Sequence, residues 1–453
     1  MMIMANNAGS LGEKAKQLNA LEDQVRAQTE GFFYSTPFIS LEVQTPSGIK
    51  DLSLDFRDMM LISAMSEGNV LVSGRTGGGK TSVARAIQRG IFGESCAFFQ
   101  MDAKFDENRF RDIAFGTIKE GGNLSDASTP GKALTAPALI IDEYNRAPPV
   151  VTNIIQGWLT NGSVTLDGER TIFPGVVIPG SGHYQWKVAT VNEGIQYIGT
   201  SGIDKASRNR FAIEMPFDMF PPTDVDRRNL IAHGKFKEDS VPESVTDMSS
   251  AMFKLIRTTK EVPVDPLVTE FLLYVQKGDL CYNSPTGTKL GFDEFTLEIC
   301  KGCHAAAQNK EICGMTFAPP EKSIPEVLSL ARAFAIYRNY RIPESELTVS
   351  LSDMSAVMPF VMFHKIDIAD GWAQKYGGGS TWYATQMVIK EMQSAWIQGT
   401  RALAPVIEAE YGEKQLSPSM QASKEEVLLS NPKVGQVSDM IKLYRKRPER
   451  LHT

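Results

Sequence analysis

The octapeptide Gly74-Arg75-Thr76-Gly77-Gly78-Gly79-Lys80-Thr81 constrains this chain more than any other stretch of it. Glycine, four free positions, glycine, lysine and a hydroxyl residue form the phosphate-loop pattern, and each part has a physical reason. Glycines let successive backbone N–H groups curl around an anion, and the following helix turns its positive end towards it. Lys80 supplies countercharge to terminal phosphates, and the Thr81 hydroxyl is the expected ligand of a Mg²⁺ ion. Such a pattern arises by chance in on the order of one or two chains per hundred of this length. The context narrows it further. Asn69-Val70-Leu71-Val72-Ser73 reads as a buried strand, and Val83, Ala84 and Ile87 give the following segment a buried helical face. Gly74 to Ser82 are therefore the expected nucleotide-binding residues, and Mg-ATP the expected ligand.

A second element has the chemistry to converge on the loop. Leu139-Ile140-Ile141-Asp142-Glu143 reads as a buried strand ending in two carboxylates. In phosphoryl transfer the first, Asp142, completes a Mg²⁺ shell, and the second, Glu143, orients and deprotonates the attacking water. A third apolar run, Trp186–Val191, ends in Asn192, whose amide has the reach to place that same water. Further on, Lys205-Ala206-Ser207-Arg208-Asn209-Arg210-Phe211 sets two arginines where a helix gives way to the next apolar run. A permanently charged planar fork suits developing phosphoryl charge, so Arg210, with Arg208 as its alternate, is the expected donor to a neighbouring subunit's nucleotide.

The rest of the chain sets bounds. Its 453 residues exceed a single core, and 42% hydrophobic with 22% charged residues is ordinary globular composition, which excludes a disordered or fibrous chain. Lys and Arg number 47 against 53 Asp and Glu, a net charge of −6 that does not favour a dedicated nucleic-acid binder. No apolar run reaches the roughly 18 residues of a membrane span. Met1-Met2-Ile3-Met4-Ala5-Asn6-Asn7 carries no basic and apolar leader, so a cytoplasmic location is expected. Leu11, Ala15, Leu18 and Val25 stand at helical spacing in a polar opening segment, residues 1–31. Apolar runs alternating with helix-length segments over 32–220 predict an α/β domain with a parallel sheet. Residues 221–366 predict an all-α domain, and 367–453 a helical extension, containing Trp382–Ala404, with a basic tail.

In order and spacing these motifs resemble the AAA+ ATPases, and among them the MoxR family. Asp142-Glu143-Tyr144-Asn145-Arg146-Ala147-Pro148-Pro149 is similar to that family's Asp-Glu-Ile-Asn-Arg-Ala-Pro-Pro signature. Gly162–Gly168 resembles its glutamine-Val-Thr-x-x-Gly stretch, Val188–Asn192 its sensor-1 strand and Asn209-Arg210-Phe211 its Asp-Arg-Phe signature. Phe220-Pro221-Pro222 with Asp224-Val225-Asp226 resembles the start of the lid, and Val349–Met354 with His364-Lys365-Ile366 its last helices. The likeness runs from about Phe32 to Ile366. It implies a P-loop αβα core followed by an α-helical lid, and ATP hydrolysis in a hexameric ring. It also implies a client or adaptor protein, bearing a von Willebrand factor A domain, that is remodelled, activated or matured. The alternative is a nucleic-acid-translocating motor of a related clade, against which the low basic content of Ser163–Trp186 argues. By the same resemblance, that segment is a lengthened insert facing the ring's pore.

Some positions depart from the family pattern. Tyr144 stands for Ile, Asn209 for an acid, and Lys322 for the lid's sensor-2 arginine, which keeps the charge without the fork. Ile49, Leu52 and Met59 occupy the neighbourhood expected of an adenine pocket. Cys300-Lys301-Gly302-Cys303-His304 has the spelling of a c-type haem attachment site, which the expected compartment excludes. Cys281, Cys300, Cys303 and Cys313 follow no standard zinc-finger spacing and read as core residues of lid helices, with zinc as the lesser alternative. Lys442, Arg445, Lys446, Arg447 and Arg450 read as a solvated basic tail.

Overall fold

Short apolar runs become strands because both faces of the central sheet are covered, so alternation is unnecessary. The computed structural model describes residues 2–113, 128–166, 170–193, 203–233, 245–276, 321–366 and 380–400, with residues 368, 374, 378 and 417. Five strands, β1 (Val70–Gly74), β2 (Cys96–Gln100), β3 (Ala138–Asp142), β4 (Trp186–Asn192) and β5 (Ile213–Pro216), form one sheet. Its order is β5-β1-β4-β3-β2, and every pairing is parallel. Val70, Leu71 and Val72 are fully buried, as are Val188 and Ala189. The sequence predicts β1, β3 and β4. It does not announce β2, a half-exposed edge strand, or β5, which carries Glu214 and Pro216.

The register decides the function of the sheet. β4 lies between β1 and β3, with Asn192 opposite Gly74 and Ala189 opposite Ile141. Parallel strands deliver their C-terminal ends to one edge, where ligands of open α/β sheets bind. Gly74, Asp142 and Asn192 consequently emerge together.

Helices cover the sheet. The long N-terminal helix α1 (Met2–Gln28) buries Leu18, Leu21 and Val25, while Ala15 stays exposed. α2 (Phe56–Met65) opens on a capping box in which Asp55 and Asp58 exchange hydrogen bonds with each other's backbone. α3 (Lys80–Phe92) continues directly from the phosphate loop, and α4 (Pro149–Asn161) packs Ile155 and Trp158 into the core. α1 lies close against α3: a Cβ on Gly90 would stand 3.2 Å from the Val25 Cα, and Gln24 Nε2 donates to Gly90 O at 2.6 Å. Arg26 pairs with Asp58 at 2.9 Å, and Tyr337 donates to the same carboxylate at 2.7 Å. α1 is therefore part of the body that carries the loop.

The chain divides into two compact units, Met1–Val262 with Ser329–Leu347, and Pro263–Leu328 with Thr348–Thr453. The divide at Val262 differs from the expected change at residue 220, because α5 (Asp224–His233) and α6 (Ser249–Glu261) pack with the first unit. In the second unit α7 (Pro266–Gln276), α8 (Leu351–Met362) and α9 (Thr381–Thr400) share an aromatic core. Phe271 lies 6.0 Å from Trp396, and Phe360 lies 5.1 Å from Trp382. Lys322 belongs to this unit and is exposed. Cys281, Cys300, Cys303, Cys313 and the basic tail from Lys442 to Arg450 lie outside the described residues. Among the described residues no group of three or more His, Cys, Asp or Glu is arranged to hold a metal, and no helix is long and apolar enough to cross a membrane.

Candidate active site

The loop between β1 and α3 needs its glycines. Gly74, Gly77 and Gly79 have φ of 148°, 87° and 77°, a region that side-chain-bearing residues avoid. Nothing lies within 4 Å of a Cβ built on Gly77, so backbone conformation and not crowding demands glycine there. Arg75, Thr76, Gly77 and Gly78 are exposed, whereas Lys80 is only 5% exposed. Its ammonium donates to Gly74 O (2.8 Å), Arg75 O (2.6 Å) and Asn192 Oδ1 (3.3 Å). These acceptors are neutral oxygens that fix the position of the ammonium.

The acids sit beside it. Thr81 Oγ1 donates to Asp142 Oδ1 at 2.6 Å, and the Thr190 hydroxyl makes a short hydrogen bond to the same oxygen. Thr190 also accepts from the Glu143 N–H at 3.3 Å. Residues two apart on a strand share a face, so β4 presents both Thr190 and Asn192 to β3. Glu143 has φ 53° and ψ 42°, the left-handed conformation that costs a non-glycine residue about 1–2 kcal/mol. One of its oxygens lies 3.3 Å from Asn192 Nδ2, the other 3.0 Å from Arg146 Nη1. Asn145 Nδ2 donates to Asn192 O at 3.2 Å, closing the group. Tyr144 fills space under the turn, buried and edge-on to Phe211 at 5.6 Å, which accounts for an aromatic in place of Ile.

A cleft of about 670 Å³ opens over this group. Loop residues Arg75 to Ser82 line it together with Asp142, Glu143 and Asn192. Its other wall is mainly apolar, with Phe32, Phe33, Tyr34, Pro221, Pro222 and Leu230 beside the charged Asp218 and Arg227. Tyr34 donates to Phe217 O at 3.0 Å, and burial, then the charges of Asp218 and Asp226, push its phenol well above the ordinary range. Asp226 pins the two segments of that wall, accepting from Ser35 N and Thr223 N, each at 2.9 Å. Leu52 and Met59 are core residues, Ile49 is 59% exposed, and none of the three lines the cleft. The aromatic run Phe32-Phe33-Tyr34 lines it instead.

The residues present fit a nucleotide and its metal. An exposed glycine loop, a buried ammonium and a cleft with one apolar wall suit a triphosphate and a base, and a Thr hydroxyl beside an Asp carboxylate are the hard oxygen donors that Mg²⁺ takes.

The two arginines have separate fates. Arg208 Nη1 donates to Glu214 Oε1 at 2.7 Å, and the guanidinium also pairs with Glu193. Glu214 is fully buried and accepts from Ser73 Oγ at 2.7 Å; burial raises its carboxyl, and Arg208 and Ser73 oppose that rise. Arg208 is thus committed within its own subunit, which weighs against its serving as the alternate finger. Arg208→Ala should lower unfolding stability by about 3–5 kcal/mol, because it removes the guanidinium paired with a buried carboxylate; a thermal-melt shift of several degrees would register it. Arg210 is half-buried, its Nε without a hydrogen-bond partner, and among the described residues it pairs with no carboxylate.

No protein-family model matches the chain. Over 154 residues, 32% of its length, it is 30% identical to an uncharacterised protein of Staphylococcus haemolyticus, of which it covers 54%. Over 224 residues, 45% of its length, it is 27% identical to the ATP-dependent Clp protease ATP-binding subunit ClpC of Staphylococcus saprophyticus, of which it covers 25%. The chain therefore spans about half the length of the first of these relatives and a quarter of the second. Among solved structures, the crystal structure of a "putative ATPase" from Cytophaga hutchinsonii superposes with a TM-score of 0.57 at 14% identity, covering 86% of this chain and 98% of that one. At that identity the likeness is one of fold. The chain has the fold of that protein.

Proposed function

We propose that the protein is an Mg-ATP-hydrolysing AAA+ ring ATPase of MoxR type that remodels, activates or matures a partner protein. One observation carries the enzymatic part: at a single sheet edge Asn192 bonds to both Lys80 and Glu143, Thr81 bonds to Asp142, and Thr190 bridges the two acidic residues. In this reading the loop amides and Lys80 bind the phosphates of ATP, and the aromatic wall takes the base. Thr81 and Asp142 would hold Mg²⁺, which supplies charge neutralisation to the phosphates. Glu143 accepts the proton of the attacking water, and Asn192, bonded to both Glu143 and Lys80, positions that carboxylate relative to the phosphate countercharge. Arg210 acts on the nucleotide of the neighbouring subunit, and Lys322 takes the sensor-2 position of the lid.

The MoxR assignment rests on the Asp142–Pro149 signature, and the hexamer and the von Willebrand A partner follow from that resemblance alone. Lys80→Ala tests the site itself. The variant should lose tight nucleotide binding, by about a hundredfold or more in Kd, because the phosphates lose a buried, charge-assisted donor. Titration with a fluorescent ATP analogue measures it, and parental affinity in the variant would remove the loop from the mechanism. For the partner, the Glu143→Gln variant loaded with ATP should co-purify a von Willebrand A protein from cell extract, and the Lys80→Ala variant should not.

A further inference from the structure

We propose that Asp218 is a positioning residue for nucleotide binding: its carboxylate holds the first residue of the phosphate loop in the shape that receives a triphosphate. This rests on the reading of the loop as an ATP site, and extends it to a residue outside the loop motif and both acidic positions. β5 runs beside β1, with Pro216 opposite Ser73, so the turn that follows β5 comes out directly under the loop. Two side chains of that turn form a floor. Asp218 Oδ2 accepts from the Arg75 N–H at 2.9 Å, and the Arg75 Nε lies 3.5 Å from the same oxygen. A Cβ on Gly74 would stand 3.1 Å from Asp218 Oδ1 and 3.3 Å from Phe217 Cβ, and one on Gly78 would stand 3.4 Å from Phe217 Cε1. The floor thus touches the loop at Gly74, Arg75 and Gly78.

The amide bond is the part with consequences. The Arg75 side chain is 71% exposed, so its ion pair with Asp218 contributes little. The Arg75 N–H is different, because it belongs to a loop whose other amides must stay unpaired to meet phosphate. A loop with several left-handed glycines loses much conformational freedom on ordering, and a fixed first residue reduces what the nucleotide must order. Asp218 also lines the cleft, where its charge opposes that of a triphosphate. Positioning and repulsion therefore have opposite signs, and a substitution reveals which is larger.

The test is the Kd of the fluorescent analogue mant-ATP with Mg²⁺, measured for the parent, Asp218→Ala, Asp218→Asn and Asp218→Glu, each checked by thermal melting. Asp218→Ala should weaken binding roughly tenfold, although it removes a negative charge from the cleft. Asp218→Asn keeps an oxygen for the Arg75 N–H and should bind within about threefold of the parent. Asp218→Glu keeps the charge but displaces the acceptor, and should weaken binding like the alanine; it also decides the matter if the alanine variant does not fold. Binding by Asp218→Ala or Asp218→Glu as tight as the parent, or by Asp218→Asn as weak as the alanine variant, would overturn the proposal. A parent chain that does not bind mant-ATP would instead overturn the ATP-site reading beneath it.

Discussion

Glu143→Gln should bind ATP with close to parental affinity and hydrolyse it slower by on the order of 10²–10⁴, the contribution of a positioned general base. The substitution is nearly isosteric. Its amide oxygen can still accept from Asn192 Nδ2, which now lies 3.3 Å from the Glu143 carboxylate, and the backbone bond to Thr190 is unaffected. What disappears is the proton acceptor, together with the ion pair to Arg146. Arg146 is exposed, so losing that pair should move the melting temperature little. Single-turnover hydrolysis alongside a binding titration separates the two effects. Turnover near the parental rate would remove Glu143 from the role of base.

Arg210→Ala should be comparably slow, on the order of 10³-fold, yet bind ATP normally, because a finger supplied by another subunit acts on the transition state and not on the ground state. The structure distinguishes this arginine from its neighbour. Arg208 is consumed by Glu214 and Glu193, whereas Arg210 stands half-buried beyond the turn Lys205–Arg208 with no carboxylate partner among the described residues. Reduced kcat with unchanged nucleotide Kd is the expected pattern. A loss of affinity equal to the loss of rate would point to a binding role within one subunit.

The parts of the candidate site that are local in the chain are legible in the sequence alone. Gly74 to Thr81 and the Asp142-Glu143 pair follow strands of continuous apolar character, and burial on both faces leaves such strands few alternatives. Asn192 was legible for the same reason, as the polar residue that ends Trp186–Val191. The rest depends on contacts far apart in the chain. Nothing near Asp218 indicates that it meets Arg75, because their proximity comes from β5 pairing with β1 across 143 positions. The resemblance ranks Arg210 above Arg208, but the ion pairs that commit Arg208, to Glu193 and to buried Glu214 on the following strand, are not visible in the sequence. The aromatic wall at Phe32–Tyr34 was missed because aromatics read as core unless the path of the segment is known. The left-handed turn at Glu143 has no residue-type signal at all, since glutamate is not a residue that seeks that conformation.

Mixing Arg210→Ala with Glu143→Gln subunits tests hydrolysis at a shared subunit interface most directly. Each variant alone should be nearly inactive, for different reasons. In a mixed assembly, one class of interface takes Glu143 from an Arg210→Ala subunit and Arg210 from a Glu143→Gln subunit, and so contains both intact groups. ATP turnover in the mixture should therefore rise well above that of either variant alone and vary with mixing ratio. No rescue in subunits shown to co-assemble, or a parent chain that hydrolyses ATP at a concentration-independent specific rate while strictly monomeric, would contradict a ring ATPase with a shared active site.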